Sequence, residues 1–192
     1  MKKTASSRRQ LLFDTAASLF ARQGYHGTSI RDIAQVLGIQ KSSLYHYVAS
    51  KEELLFLLLD DYVTVALEEI EKLCAEERAP AEKLSRFMRF YTGFYAGDQE
   101  RLILLINELD CLSGDYRDIL IGKERRYVKA LTGIFSQLQE QGVMKPIPQS
   151  VAAFAFFGMV HYTCKWFHHD GEISAEKLGE LFLEIFTRGV FT

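Results

Sequence analysis

The sequence predicts an all-α protein of about nine helices, arranged as a small basic N-terminal domain (residues 1–50) and a larger C-terminal domain (residues 51–192). Three observations carry this. Apolar residues recur at three- and four-residue spacing along nearly the whole chain, and no stretch sustains the period-two alternation of a half-buried strand. Proline is confined to Pro80, Pro146 and Pro148, so few points forbid a helix. Glycine turns and hydroxyl caps punctuate the apolar runs where helices would have to start and stop.

Taken in order, a first helix runs from about Ser7 to Gln23, with Leu11, Leu12, Ala16, Leu19 and Phe20 on one face and Gly24 ending it. Thr28 or Ser29 caps a second, carrying Ile30, Ile33, Ala34 and Leu37 up to Gly38. A third, short helix covers Lys41 to Tyr47. Ser50 caps a long fourth whose first turn, "KEEL", sets Glu52 and Glu53 at the positive end of the helix dipole. It extends to about Glu77. A fifth follows Pro80 from Ala81 to Tyr95, a sixth runs from Asp98 to about Leu112, and a seventh from Asp115 to Gln141. "MKPIPQS" interrupts, an eighth runs from Ser150 to about His168, and the turn "HDGEIS" precedes a ninth from Ser174 to Arg188.

With 48% hydrophobic residues and 12% aromatics, the chain can build a substantial core, which excludes global disorder. The net charge of −2 conceals a strong asymmetry. Residues 1–51 hold eight basic side chains against Asp14 and Asp32, or +6, leaving −8 for the remainder. A basic segment on an acidic body is the distribution expected when one part meets a polyanion. Three widely separated cysteines (Cys74, Cys111, Cys164) form no CxxC pair, fit a reducing compartment and give no disulfide framework. No apolar run follows the basic N-terminus as a signal peptide requires, so a cytoplasmic location is expected. The uncharged stretch from Pro146 to Cys164 approaches membrane-spanning length, but its dense apolar part is only "VAAFAFFGMV"; it reads as a buried helix, and no membrane partner is expected.

The second and third helices have the spacing of a helix-turn-helix. Ala34 is small where two helices cross, Gly38 permits the tight turn, and Ile39 and Leu44 anchor the third helix across the second. With Leu44 inward, Lys41, Ser42, Ser43, Tyr45 and Tyr47 are left on the outer surface. Short hydroxyls suit phosphate oxygens and base edges, and tyrosine adds apolar surface for a thymine methyl.

The run "AASLFARQGYHGTSIRDIAQVLGIQKSSLYHYVASKEELL" resembles the tetracycline-repressor (TetR/AcrR) family of bacterial transcriptional regulators, with "LFARQGY", "TSIRDIA", "GIQKSSLYHY" and "SKEELL" in family order and spacing. The resemblance implies a repressor that is a homodimer joined through its last two helices, acting on a palindromic double-stranded DNA operator, with an effector cavity in the C-terminal part. It adds Thr28, Ser29, Arg31 and Lys51 to the expected DNA contacts, Ser29 and Lys51 on phosphates, Lys41 and Ser43 on bases. The final stretch, "AFAFFGMVHYTCKWFHHDGEISAEKLGELFLEIFTRGV", resembles a subgroup that controls fatty-acid and steroid degradation and responds to acyl-coenzyme A thioesters.

For the effector, the aromatic stripe of the fifth helix and the apolar run from Leu54 to Leu59 offer more apolar surface than one helical layer needs. Tyr62, Phe90, Tyr91, Phe94, Leu105, Leu109, Tyr127 and Trp166 are the expected wall, and Arg86, Arg89 or Arg125 would meet phosphates at the mouth. The alternative effector is a planar aromatic or drug-like molecule, with the protein repressing an efflux or stress gene. Val151 to Val160 is apolar all round, so Phe154, Phe157, Gly158 and His161, with Phe182, Ile185 and Phe186 of the ninth helix, are expected at the dimer interface.

Catalytic motifs are lacking: there is no GxSxG, HExxH, Walker lysine loop or GxGxxG, so no enzyme and no cofactor are expected. His161, Cys164 and His168 fall at helical spacing compatible with a metal, but a fourth ligand is missing and no metal site is assigned.

Overall fold

The computed structural model describes residues 5–168 and 170–192, and these form nine α-helices. They are α1 (Ala5–Gln23), α2 (Ile30–Val36), α3 (Lys41–Leu44), α4 (Lys51–Ala75), α5 (Pro80–Gly97), α6 (Gln99–Asn107), α7 (Gly114–Glu140), α8 (Gln149–His161) and α9 (Ala175–Val190). Two 3₁₀ turns, Leu109–Cys111 and Tyr162–Lys165, extend α6 and α8.

The caps explain the register of the N-terminal part. Ser29 accepts the Asp32 N–H while Asp32 bonds back to the Ser29 N–H, a complete capping box for α2. Gly38 closes α2 at φ +65°, with its N–H on the Gln35 carbonyl and the Ile39 N–H on that of Ala34. A side chain with a Cβ would be strained there. Ser50 caps α4 by accepting the Glu53 N–H. α1, α2 and α3 close over Phe13, Ala16, Phe20, Ile33, Ala34, Leu44 and Val48, all buried.

α4 is the spine that joins both parts. Leu54, Leu55, Leu58 and Leu59 are fully buried near its start, and α7 packs along it. α6 lies against α1, where Arg101 bonds Asp98, the N-cap of α6, and reaches Asp14 at 2.7 Å. α9 packs mainly on α5 through Leu178, Gly179, Phe182, Leu183 and Phe186. At Gly179 a Cβ would come within 3.1 Å of the Arg89 carbonyl oxygen, so glycine favours this close approach and a larger residue would push the two helices apart by a few tenths of an ångström. Lys83 is buried to supply its ammonium to the Cys74 carbonyl at 2.9 Å, satisfying the end of α4. Among the described residues no helix is long and apolar enough to cross a membrane.

Three expectations need correction. The recognition helix ends at Leu44 rather than Tyr47; the next residues form a turn in which the Tyr47 and Val48 N–H groups share the Leu44 carbonyl. Ile39, expected as an anchor, is 40% exposed, because the turn through Gly38 swings it outward. The eighth helix stops at His161, so His161, Cys164 and His168 do not share one α-helical face, and no metal-compatible group of three ligands exists among the described residues.

Candidate nucleic-acid interface and effector cavity

At the helix-turn-helix, burial of Leu44 turns the rest of α3 outward. Arg31, Lys41, Ser42, Tyr45 and Tyr47 are exposed, Ser43 is half-buried, and the Lys41 ammonium lies 5.7 Å from the Tyr45 ring centre. This face carries donors, acceptors and aromatic edges with little holding them to the protein itself. Ser29 is exposed too, but its hydroxyl is engaged with Asp32 in the cap.

Two expected contacts are placed elsewhere. Thr28 is buried, its hydroxyl donating to the carbonyls of Gly24 (3.0 Å) and Leu19 (3.3 Å), which ties the start of α2 to the end of α1. The Lys51 ammonium donates to the carbonyls of Tyr25 (2.9 Å) and Thr28 (3.1 Å) and sits 4.0 Å from the Tyr25 ring centre. It therefore pins α4 to the loop between α1 and α2 rather than reaching outward. Both residues are invisible as structural in the sequence because their partners are main-chain carbonyls, which carry no sequence signature.

In the C-terminal part a cavity of about 710 Å³ opens between α7 and α8. Ile121, Val128, Phe154, Phe157 and Gly158 give it apolar walls, Glu124, Tyr127, Thr132 and His161 bring polar groups, and Arg125 and Lys129 stand on it as cations. Neither Arg125 nor Lys129 makes a side-chain ion pair among the described residues. Behind these walls lies a ring cluster. The Tyr91 and Tyr95 rings pack at a tilt with centres 4.2 Å apart, and the Tyr91 hydroxyl lies 2.9 Å from Nε2 of His161. Burial pushes the His161 imidazole down to about 4, so it is neutral near pH 7, and pushes the Glu124 carboxyl up.

Of the expected effector residues, Arg125 and Tyr127 line this cavity and Tyr91 backs it. The others are dispersed. Tyr62 donates to the Asp98 carbonyl at 3.1 Å and, with Phe94, borders a separate small hollow against α1. Phe90 stacks on Phe94, and Leu105 is core. Leu109 lies in the 3₁₀ turn after α6 and packs against the core. Arg86 is paired with Glu76 at 2.7 Å, and Arg89 is exposed on α5. Trp166 is exposed beside Phe182 and borders a hollow with Ile173. A helical wheel cannot say which neighbour each face of α5 will meet, and here the rings of the stripe meet Tyr62 of α4, Tyr127 of α7 and Phe156, Phe157 and His161 of α8.

The expected interface set divides as well. Phe157, Phe182 and Phe186 are buried inside the protomer, whereas Phe154 is 63% and Ile185 61% exposed. Gly158 has nothing within 4 Å of a would-be Cβ. Phe154, Phe157, Gly158 and His161 all line the cavity, a role the sequence reading missed. The signal available was the pairing of His161 with small Gly158 on an otherwise apolar helix.

Residues 12–58 match the family described as bacterial regulatory proteins, tetR family, and residues 77–190 match the tetracyclin repressor-like C-terminal domain. The chain is 26% identical over 189 residues to the HTH-type transcriptional repressor KstR2 of Mycobacterium tuberculosis, covering 96% of this chain and 94% of that one. It is 24% identical over 181 residues to the fatty acid metabolism regulator protein of Bacillus subtilis, covering 93% of each. Among solved structures it is similar to AibR in complex with isovaleryl coenzyme A and operator DNA, with a TM-score of 0.82 and 31% identity over 93% of this chain and 97% of that one. With both parts matched and the all-helical architecture in place, the chain belongs to the tetR family of bacterial transcriptional regulators, which are not enzymes.

Proposed function

We propose that the protein is a homodimeric repressor that binds a palindromic operator through α3 and its flanking turn, and that an acyl-coenzyme A releases it. The observation that carries the effector reading is the cavity between α7 and α8: apolar walls for an acyl chain, with Arg125 and Lys129 at hand for phosphates and without an ion pair among the described residues. The similarity to AibR, solved with isovaleryl coenzyme A and operator DNA, supports it. For the dimer, Val151 and Phe154 of α8 and Ile185 of α9 expose large apolar side chains on the last two helices, an arrangement that favours burial against a second copy.

The route from cavity to DNA runs through α7. Its cavity face carries Ile121, Glu124 and Arg125, while the intervening Lys123 bonds Asp60 and Thr64 of α4. α4 in turn is pinned to the reading head by Lys51. A ligand that shifts α7 thus moves α4 and the spacing of two reading heads. The ligand must bind the DNA-incompetent state more tightly; a tenfold loss of operator affinity needs about 1.4 kcal/mol of coupling.

The test is operator release and thermal shift across acyl-coenzyme A thioesters of increasing chain length, beside free coenzyme A and flat aromatic compounds. Each buried methylene contributes about 0.8 kcal/mol, so affinity rises about fourfold per methylene until the cavity is full. A response only to the aromatics would overturn the thioester reading.

A further inference from the structure

The other flank of α7 borders a second hollow, of about 390 Å³, which residues near the end of α4 and Lys83 of α5 complete. Lys129 lines both this hollow and the α7–α8 cavity. One turn further along α7, Gly133 is exposed with nothing within 4 Å of a would-be Cβ, so the outer edge of the helix is low there. The second hollow sets Lys83, Arg126 and Lys129 against one lining acid, Glu71, a balance of +2 on a C-terminal part that carries −8. Lys83 is 9% exposed, and among the described residues its ammonium bonds only the Cys74 carbonyl, at 2.9 Å. An ammonium has three donors, and a buried charge with one neutral partner is incompletely satisfied. Arg126 pairs with Glu71 at 2.6 Å, but with the side chains 61% and 44% exposed this pair is weak, and the guanidinium can turn to a stronger anion. Ala130 and Ile134 add apolar wall.

Resting on the thioester reading above, we infer that this hollow seats the nucleotide end of the coenzyme A thioester. The phosphates meet Lys129, Arg126 and Lys83, the adenine lies on the apolar wall, and the arm crosses the edge of α7 beside Gly133 to the acyl end in the α7–α8 cavity. Phosphate oxygens are strong acceptors and pair well with ammonium and guanidinium donors, so they supply what the Cys74 carbonyl alone does not. The concentration of positive charge also fits: a solvated face would not need a buried lysine, whereas a guest of several negative charges does. A ligand placed this way touches both flanks of α7 and residues near the end of α4, the two helices that Lys123 links.

The experiment measures, by calorimetry, binding of isovaleryl- and decanoyl-coenzyme A beside the matching S-acyl-pantetheines, which lack the nucleotide. Wild type is expected to bind at least one coenzyme A thioester about tenfold or more tightly than its pantetheine counterpart. Arg126→Gln is expected to weaken the coenzyme A thioester about fivefold and leave the pantetheine thioester unchanged. Gly133→Glu, where the side chain has room, is expected to give the same split by setting a carboxylate against the phosphates. Lys177→Gln, a cation on α9, serves as the control and changes neither ligand. Operator binding without effector reports that each variant folds. Wild-type affinity for the coenzyme A thioester in both Arg126→Gln and Gly133→Glu, or an equal loss for both ligand types, overturns the nucleotide seat and leaves the thioester reading intact. Binding of neither coenzyme A thioester overturns both.

Discussion

Lys51 shows how one side chain can belong to a DNA-binding motif and yet serve the protein. Its charge and position suggest a phosphate contact, but two carbonyls and the Tyr25 ring hold its ammonium inside the junction of α1, α2 and α4. Hydrogen bonds from a charged donor and a cation–π contact stabilise this corner. Lys51→Met keeps the aliphatic stem and removes the charge. It is expected to lower unfolding stability by about 1–3 kcal/mol, read by chemical denaturation. Its operator affinity should fall in proportion to the misaligned reading head rather than by a shallower salt slope. An unchanged midpoint with a slope reduced by about one phosphate would instead assign Lys51 to the DNA.

At the scale of the element, α8 presents two different faces on one short helix. Ala152, Ala153, Phe156, Phe157 and Val160 are core, while Val151, Phe154 and Gly158 are exposed. Composition alone made the whole helix look like an interface, since its residues are apolar on every side. Arginine at the two phenylalanines separates these roles. Phe154→Arg is expected to leave the protomer folded and shift it to monomer in analytical ultracentrifugation, with loss of tight operator binding. Phe157→Arg is expected to destabilise the protomer by more than about 3 kcal/mol, because a buried charge replaces a ring packed against Tyr91 and Tyr127. A folded, dimeric Phe154→Arg protein would move the interface elsewhere.

For the whole molecule, the proposed route from the cavity beside α7 to α3 can be tested at one contact. The Lys123–Asp60–Thr64 contact is half-buried and spans α7 and α4, and Arg126 adds a more exposed pairing with Glu71 at 2.6 Å. Lys123→Met removes the polar link while retaining the stem's packing. If α7 transmits the signal through α4, this variant binds effector within about twofold of wild type, yet releases operator several-fold less readily at saturating effector. Wild-type release by this variant, followed by fluorescence anisotropy of labelled operator, would place the coupling on another contact.

Much of this molecule is legible in its sequence. Helix number and most boundaries follow from apolar periodicity, from Ser29 and Ser50 as caps, and from Gly38 and Pro80 as breaks, because caps and breaks act within one turn of chain, whereas the ends of α3, α6 and α8 fall several residues earlier than periodicity predicts. The outward face of α3 is readable for the same reason: burying Leu44 fixes where its neighbours point. Tertiary structure alone decides the rest. The cavity forms where α7 and α8 meet, and neither helix carries a mark naming the other. It also decides that Phe157 is core and Phe154 is not, and that Thr28 and Lys51 bond main-chain carbonyls. Periodicity gives the direction of a side chain about its own helix axis, whereas its partner depends on how that helix packs against others distant in sequence.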